Sequence, residues 1–137
     1  MAPERWDIAA YEGAGPLRFG MKRSKVRSLL NKRFSTFMKG DDAASLTDAC
    51  ETLQLHLYYD TSDRLICIEA FGTCPIYYQH VPLLKGSKNQ VLDQLAATGL
   101  SMRFDDGYFF DEAGFTLYAP GESVEAVTVY QKGYYDE

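Results

Sequence analysis

The sequence has few of the features that identify a membrane or secreted protein. No stretch of its 137 residues holds the roughly 18 to 20 consecutive apolar side chains that a membrane-spanning helix needs. Its first residues, MAPERW, lack the apolar core of a secretory signal peptide. Cys50, Cys67 and Cys74 are an odd number without a paired motif, which favours buried reduced thiols over a disulfide framework. We therefore expect a cytoplasmic protein that does not contact a membrane.

Residues that form metal centres and nucleophilic sites are also scarce. His56 and His80 are the two histidines, and six residues separate Cys67 from Cys74, which is not a zinc-ribbon spacing. Cys74 with His80 is the one pairing that would suit a thiolate nucleophile, and an incidental pairing is favoured. No serine lies in a Gly-x-Ser-x-Gly turn, and the glycines form neither a phosphate-cradling loop nor a dinucleotide fingerprint. The sequence predicts no catalytic residue, no metal site and no cofactor.

Positive charge is in the minority. Lysine and arginine number 14 against 19 aspartates and glutamates, and the net charge of -5 disfavours nucleic acid and favours a basic partner. Basic residues cluster between positions 22 and 39, whereas acidic residues crowd the region from 105 to 137. An acidic face near the end of the chain follows if the fold keeps these residues together.

The chain is rich in apolar and aromatic residues. Hydrophobic residues make up 46% of the sequence, which includes ten tyrosines and eight phenylalanines. This composition and length predict one globular domain over residues 1–137. Because tyrosine carries a hydroxyl group that tolerates water, an excess of tyrosine suits contact surfaces as well as a core.

A weak internal repeat divides the chain near residues 73–75, into 11–72 and 76–135. In the first half, residues 16–21 predict a short strand and turn before a helix. In the second half, residues 81–86 lead to Ser87, a good N-cap, whereas Lys22 at the corresponding position is a poor one. Apolar residues at helical spacing follow each cap. They are Val26, Leu29 and Leu30 in the first half and Val91, Leu92 and Leu95 in the second.

Each predicted helix is followed by strands. Leu53, Leu55 and Leu57 alternate with polar residues, and residues 64–71 return as an apolar strand after a polar turn. Residues 114–118 and 124–130 predict an equivalent hairpin, and further short strands are expected at 34–38, 101–104 and 108–110. Residues 39–52 are expected to form the longest loop. The predicted fold class is α+β, with two weakly repeated strand–helix–hairpin halves whose helices pack on a mainly antiparallel sheet.

The segment from 105 to 112, DDGYFFDE, is the strongest candidate for a partner-binding surface. Its carboxylates flank three aromatic residues, and a strand buries only alternate side chains, so either Phe109 or both Tyr108 and Phe110 face outward. A core strand with acidic turns is the alternative. The tail offers a second aromatic and acidic patch. The predicted partner-binding residues are Asp105, Asp106, Tyr108, Phe110, Asp111, Glu112, Tyr134 and Tyr135.

Two resemblances bear on function. GPLRFGM at residues 15–21, followed by Val26 and Leu29-Leu30, resembles the opening of many small bacterial proteins carried beside toxins or without a known role. A helix followed by strands, used twice, is similar to the tandem repeats of β-lactamase-inhibitor-like proteins and outer-membrane assembly lipoproteins. This likeness rests on that topology and on Gly20-Met21 before a helix. The first resemblance is to immunity proteins, which are carried beside toxins. It implies a small, acidic, non-enzymatic inhibitor that binds one cognate toxin tightly. It implies no residue roles, because that class shares no catalytic motif.

The sequence thus predicts a protein-binding inhibitor, an immunity protein that covers the active site of a basic cognate toxin through an acidic, aromatic surface. One alternative is a ligand-binding or homo-oligomeric assembly module that uses a cleft or an exposed strand edge. A second is a small hydrolase that uses the carboxylate pairs at 41–42, 105–106 and 111–112. Adjacent residues in an extended segment point to opposite sides, which favours turns over catalytic pairs.

Overall fold

The computed structural model describes residues 5–31, 35–38 and 46–134. Within these ranges the chain forms thirteen short strands and two helices. The first half contains β1 (Trp6–Ala9), β2 (Gly13–Ala14), β3 (Leu17–Arg18), α1 (Arg23–Leu30), β4 (Ser35–Met38), β5 (Leu46–Cys50), β6 (Leu55–Tyr59) and β7 (Leu65–Phe71). The second half contains β8 (Ile76–Tyr78), β9 (Val81–Pro82), α2 (Lys88–Ala97), β10 (Arg103–Phe104), β11 (Tyr108–Phe110), β12 (Phe115–Tyr118) and β13 (Ala126–Tyr130).

Eight of these strands form one antiparallel sheet in the order β10-β11-β12-β13-β7-β6-β5-β4. The last strands of the two halves pair at its centre, where Phe71 lies opposite Ala126 and Cys67 opposite Tyr130. On each side of this pair, the strands run outward in reverse chain order. β10 and β4 are therefore the two end strands of the sheet.

The smaller sheet has the order β3-β2-β1-β8-β9 and joins the beginnings of the two halves. β1 runs parallel to β8, with Trp6 opposite Ile76. The backbone N–H of Trp6 also donates a hydrogen bond to the carbonyl of Pro75 at 2.7 Å. The two halves are thus hydrogen-bonded to each other in both sheets.

Strand alternation builds most of the core. Leu55, Leu57 and Tyr59 on β6 are buried, while His56 and Tyr58 between them are partly exposed. The helices contribute two buried side chains each, Val26 and Leu30 from α1 and Val91 and Leu95 from α2. All four helical side chains belong to the same apolar cluster as the strand residues. The predicted helical faces are therefore present but narrow.

The predicted fold class is wrong, because the described structure is mostly β and is not a pair of helices packed on a sheet. Helices α1 and α2 have only 8 and 10 residues, so each turns few side chains inward. Part of the expected loop at 39–52 is strand β5, in which the buried Thr47 and Asp48 mask the apolar pattern. The short strands expected at 101–104 and 108–110 are confirmed as β10 and β11.

Each half runs from a helix into strands of the large sheet. The boundaries of the proposed repeat, 11–72 and 76–135, stay a prediction. Neither helix within residues 5–31, 35–38 and 46–134 combines the length and apolar composition needed to cross a membrane.

Candidate interaction site at the end of the large sheet

The hairpin of β10 and β11 forms one end of the large sheet. Arg103 pairs with Phe109 and Phe104 with Tyr108 across the two strands. The backbone N–H of Asp105 donates to the carbonyl of Gly107 at 2.9 Å and closes the turn. The acidic turn predicted from the sequence is therefore a tight connection at the sheet edge.

The aromatic residues of β11 divide between the two faces of the sheet. Phe110 is buried, and its ring stacks on Phe115 with 4.9 Å between centroids and 19° between planes. Phe109 faces the other way, beneath the Arg103 guanidinium at 4.4 Å. Tyr108 shares the face of Phe110 but is only half-buried. Alternation was correct, but Phe110 lies in the core and is not exposed for partner contact.

The exposed apolar side chains concentrate beside this hairpin. Met102, Phe104 and Tyr118 are the large hydrophobic residues that the described structure leaves exposed, by 50%, 64% and 52%. Phe104 contacts Tyr108 edge to face, with 5.1 Å between ring centroids. Sequence reasoning missed Phe104 and Tyr118 because their exposure depends on the end of the sheet, and no local pattern signals that position.

A pocket of about 310 Å³ lies among these side chains. Its aromatic walls are Phe104, Tyr108 and Tyr118, and Asp106 and Lys88 also line it. The Lys88 ammonium lies 5.9 Å from the centroid of the Tyr108 ring and 3.4 Å from the carbonyl of Ala119. We call Phe104, Asp106, Tyr108 and Tyr118 together the corner surface.

The four predicted acidic residues have different surroundings. Asp111 accepts two hydrogen bonds from Arg103, at 2.8 and 3.0 Å, and these lower the pKa of the carboxyl group against a smaller opposing effect of burial. Asp105 lies 3.8 Å from the same guanidinium. Glu112 accepts from the backbone N–H of Ser101 at 2.8 Å.

Asp106 differs from these three carboxylates. Across the part of the chain that the structure describes, its side chain makes no hydrogen bond or ion pair with another residue. Asp106 is therefore the carboxylate of this group that remains available to a partner.

Tyr134, the predicted tail residue that the structure describes, does not line the pocket. Tyr134 stacks on Tyr130 with 6.0 Å between ring centroids. Tyr130 contacts Tyr11 at 5.9 Å, and the hydroxyl group of Tyr11 donates to the backbone carbonyl of Asp111. Tyr134 is thus connected to the hairpin through two other rings. Tyr135 lies outside the described residues.

The turn between β11 and β12 ends at Gly114, and the packing of Tyr11 against this turn requires a glycine there. Gly114 has φ +70, and a Cβ atom at this position would lie 2.9 Å from Cδ1 of the Tyr11 ring. A side chain here would be strained in its backbone and would also displace Tyr11.

The thiol and histidine candidates do not form a nucleophilic site. Cys74 is buried, and burial raises the pKa of its thiol to about 12, so the thiolate is disfavoured at neutral pH. His80 is exposed. His56 lies elsewhere, with Nδ1 3.2 Å from Glu69 Oε1, and the hydroxyl group of Tyr58 donates to the same oxygen at 3.0 Å.

A buried ionic cluster lies in the other half of the molecule. The carboxylate of Asp48 is fully buried and accepts hydrogen bonds from Arg27 at 2.5 and 2.9 Å, from Arg23 at 3.3 Å and from Tyr59 at 3.1 Å. Burial alone would raise the pKa of Asp48, but the hydrogen bonds from Arg27 and Tyr59 and the positive charges outweigh it and lower the pKa. The cluster connects α1 to β5.

Neither cluster resembles a metal centre. No three histidine, cysteine, aspartate or glutamate side chains come together as metal ligands among residues 5–31, 35–38 and 46–134. Comparison with known proteins gives no match to a family model, to a curated protein sequence or to a solved structure.

Proposed function

We propose that the protein is an inhibitor of the immunity type, which neutralises a cognate toxin in the cytoplasm by covering the toxin's active site with the corner surface. The observation that carries this proposal is that the exposed rings of Phe104 and Tyr118 line one pocket at the end of the large sheet. Exposed apolar side chains gathered in this way are typical of protein contact sites.

The chemistry of the corner surface fits a binding role. Aromatic rings supply much of the binding energy at protein interfaces. The rings of Phe104 and Tyr118 are already exposed in the folded protein, so a partner can contact them directly. The chain carries a net charge of -5, which attracts a basic partner and accelerates its association. Three buried cysteines that form no disulfide are compatible with a reducing compartment.

The predicted residues then have different roles in this proposal. Asp106 and Tyr108 contact the partner directly. Phe110 supports the hairpin from the core, while Asp111 and Glu112 hold its backbone and side chains in place. The contacts missing from the sequence prediction are Phe104 and Tyr118.

Capture from the native host tests the proposal. Tagged wild-type protein is compared with the double variant Phe104→Ser/Tyr118→Ser and with Tyr77→Ser, a control at a half-buried tyrosine of the smaller sheet. We expect wild type and control to recover one basic protein at equal stoichiometry, and the double variant to lose it. The purified partner should have a toxic activity that wild-type protein suppresses in proportion to binding.

Several results would contradict the proposal. Equal recovery by the double variant would place the contact elsewhere, and a partner whose activity is unaffected would remove the inhibitory role. Recovery of no partner would also count against it. Urea unfolding of all three proteins verifies that any lost binding does not come from lost folding.

A ligand-binding module is the second candidate, supported by a groove that residues between 73 and 85 line at the start of the second half. This groove has a volume of about 400 Å³, within the range of small-molecule sites, and is lined by Ile76, Tyr77, Leu84 and Lys85 among others. If this groove binds a ligand, small molecules of the host extract should raise the melting temperature of the wild-type protein and of the double variant Phe104→Ser/Tyr118→Ser. The Tyr77→Ser variant should lose this stabilisation. For the hydrolase alternative, the carboxylate pair at 41–42 lies outside the described residues. In the pair at 111–112, Asp111 and Glu112 bond to different groups, which does not favour a joint catalytic role.

A further inference from the structure

We infer that the pocket of the corner surface is a subsite for an arginine side chain of the protein partner. The guanidinium group would stack on the exposed ring of Phe104 and pair with the carboxylate of Asp106. This inference rests on the proposed function and specifies the chemistry of the contact.

The first argument comes from the rings. Phe104 is 64% exposed although its neighbour Tyr108 covers one side of it edge to face. Tyr118 reaches the same pocket from β12. A pocket of about 310 Å³ with three aromatic walls can accept a flat, weakly hydrated group, and the face of an aromatic ring attracts a cation.

The second argument comes from the charges. Of the carboxylates in the hairpin, Asp111 and Asp105 lie beside Arg103, and Asp106 is the one at the pocket without a side-chain partner among the described residues. A cationic side chain stacked on Phe104 would provide the missing partner. An exposed carboxylate next to exposed rings is therefore complementary to a basic side chain.

Lys88 determines which cation fits best. Its ammonium group already lies near Tyr108 and the Ala119 carbonyl, so it occupies that side of the pocket and repels a second compact charge. A guanidinium group is planar, spreads its charge and stacks on rings while donating paired hydrogen bonds to a carboxylate. Arginine is therefore favoured over lysine. A negatively charged side chain is disfavoured, because it would be repelled by the carboxylate of Asp106.

Short peptides test the subsite on the purified chain alone. The probe is the blocked tripeptide Gly-Arg-Gly, and the matched probes replace arginine by citrulline, lysine or glutamate. Titrations are followed by the backbone amide signals of the ¹⁵N-labelled full chain. We expect the arginine probe to shift Gly107 and Asp106 saturably with a Kd on the order of 10 mM, tighter than lysine, and citrulline to have no such effect.

Three variants then test the geometry. Asp106→Asn should weaken the arginine probe about five- to ten-fold, because a hydrogen-bonded charge is lost. Asp105→Asn, a control one residue away and beside Arg103, should change it less than about two-fold. Lys88→Gln should tighten binding, because a nearby like charge is removed.

The inference is overturned by any of three outcomes. These are equal binding of the citrulline probe, preference for glutamate with weakening by Lys88→Gln, and the absence of saturable shifts. Failure here is distinguishable from failure of the proposed function. If only the arginine subsite is wrong, Phe104→Ser/Tyr118→Ser would still abolish capture of the partner, whereas Asp106→Asn would leave capture unchanged.

Discussion

Two arginine–carboxylate pairs show how the same chemistry serves different ends in the two halves of the molecule. Asp48 accepts two hydrogen bonds from Arg27, and Asp111 accepts two from Arg103. The pKa of each carboxyl group is lowered. The side chain of Asp48 is fully buried, however, whereas that of Asp111 is 53% exposed.

The surroundings explain why only one of these pairs holds the fold together. Water already solvates an exposed pair, so its formation gains little free energy. A buried carboxylate has lost its water and needs every partner the protein supplies. Arg23 and Tyr59 supply additional hydrogen bonds to Asp48. The buried cluster fixes α1 against β5, while the exposed pair shapes a surface hairpin.

Removal of the buried charge should have the largest effect. We expect Asp48→Asn to lower the free energy of unfolding by about 3 kcal/mol, because two arginines lose their common buried partner. The control is Asp63→Asn, which removes an exposed carboxylate that lies 2.7 Å from Arg23. Urea unfolding gives both values, and similar losses in the two variants would show that burial does not separate these sites.

The acid dependence of stability should identify the same carboxylate. Because the pKa of Asp48 in the folded protein lies below its ordinary value of 3.8, its ionised form stabilises the fold fully above that value. This contribution is lost as the pH falls from 3.8 through the folded pKa. The stability difference between wild type and Asp48→Asn should therefore be constant from about pH 7 to about pH 5 and narrow in stronger acid. A difference that already narrows above about pH 5 would refute the lowered pKa.

The buried cluster also shows what the sequence could not reveal. Arg27 and Asp48 are 21 residues apart, and Asp48 lies in a segment that was predicted as a loop because a charged residue at a core position disrupts the apolar pattern. Periodicity correctly identified Val26 and Leu95 as buried helical residues. It gave no measure of how much of the core the helices cover, and the fold class was wrong for that reason.

The corner surface was predictable only in part. The acidic turn at 105 and 106 and the alternation of Tyr108 with Phe109 were readable from local sequence. Phe104 lies on the core-facing side of its strand, opposite Tyr108, yet it is exposed because the sheet ends there. Which strand ends a sheet depends on the pairing of distant segments, so the exposed residues required the structure.

Removal of a helix cap should lower the free energy of unfolding by a smaller amount, and by different amounts at α1 and α2. Ser87 caps α2, because its hydroxyl oxygen accepts a hydrogen bond from the backbone N–H of Gln90 at 3.2 Å. In return, the backbone N–H of Ser87 donates to the side-chain oxygen of Gln90 at 2.9 Å. Lys22 begins α1 without a side-chain cap. We expect Ser87→Ala to cost about 1 kcal/mol and the matched Lys22→Ala to change stability little. Equal losses in urea unfolding would mean that the capping box does not stabilise α2.

The smallest effect on stability is expected at the exposed pair. Asp111→Asn should lower the urea midpoint less than Ser87→Ala, because Asp111 and Arg103 are solvated whether or not they are paired. Added salt should reduce the difference from wild type further, since mobile ions screen exposed charges. The comparison with Asp48→Asn is made in the same buffer series. A loss as large as that of Asp48→Asn, unchanged by salt, would mean that the pair and not the Phe110–Phe115 stack holds the hairpin, and burial would then not be what distinguishes the two clusters.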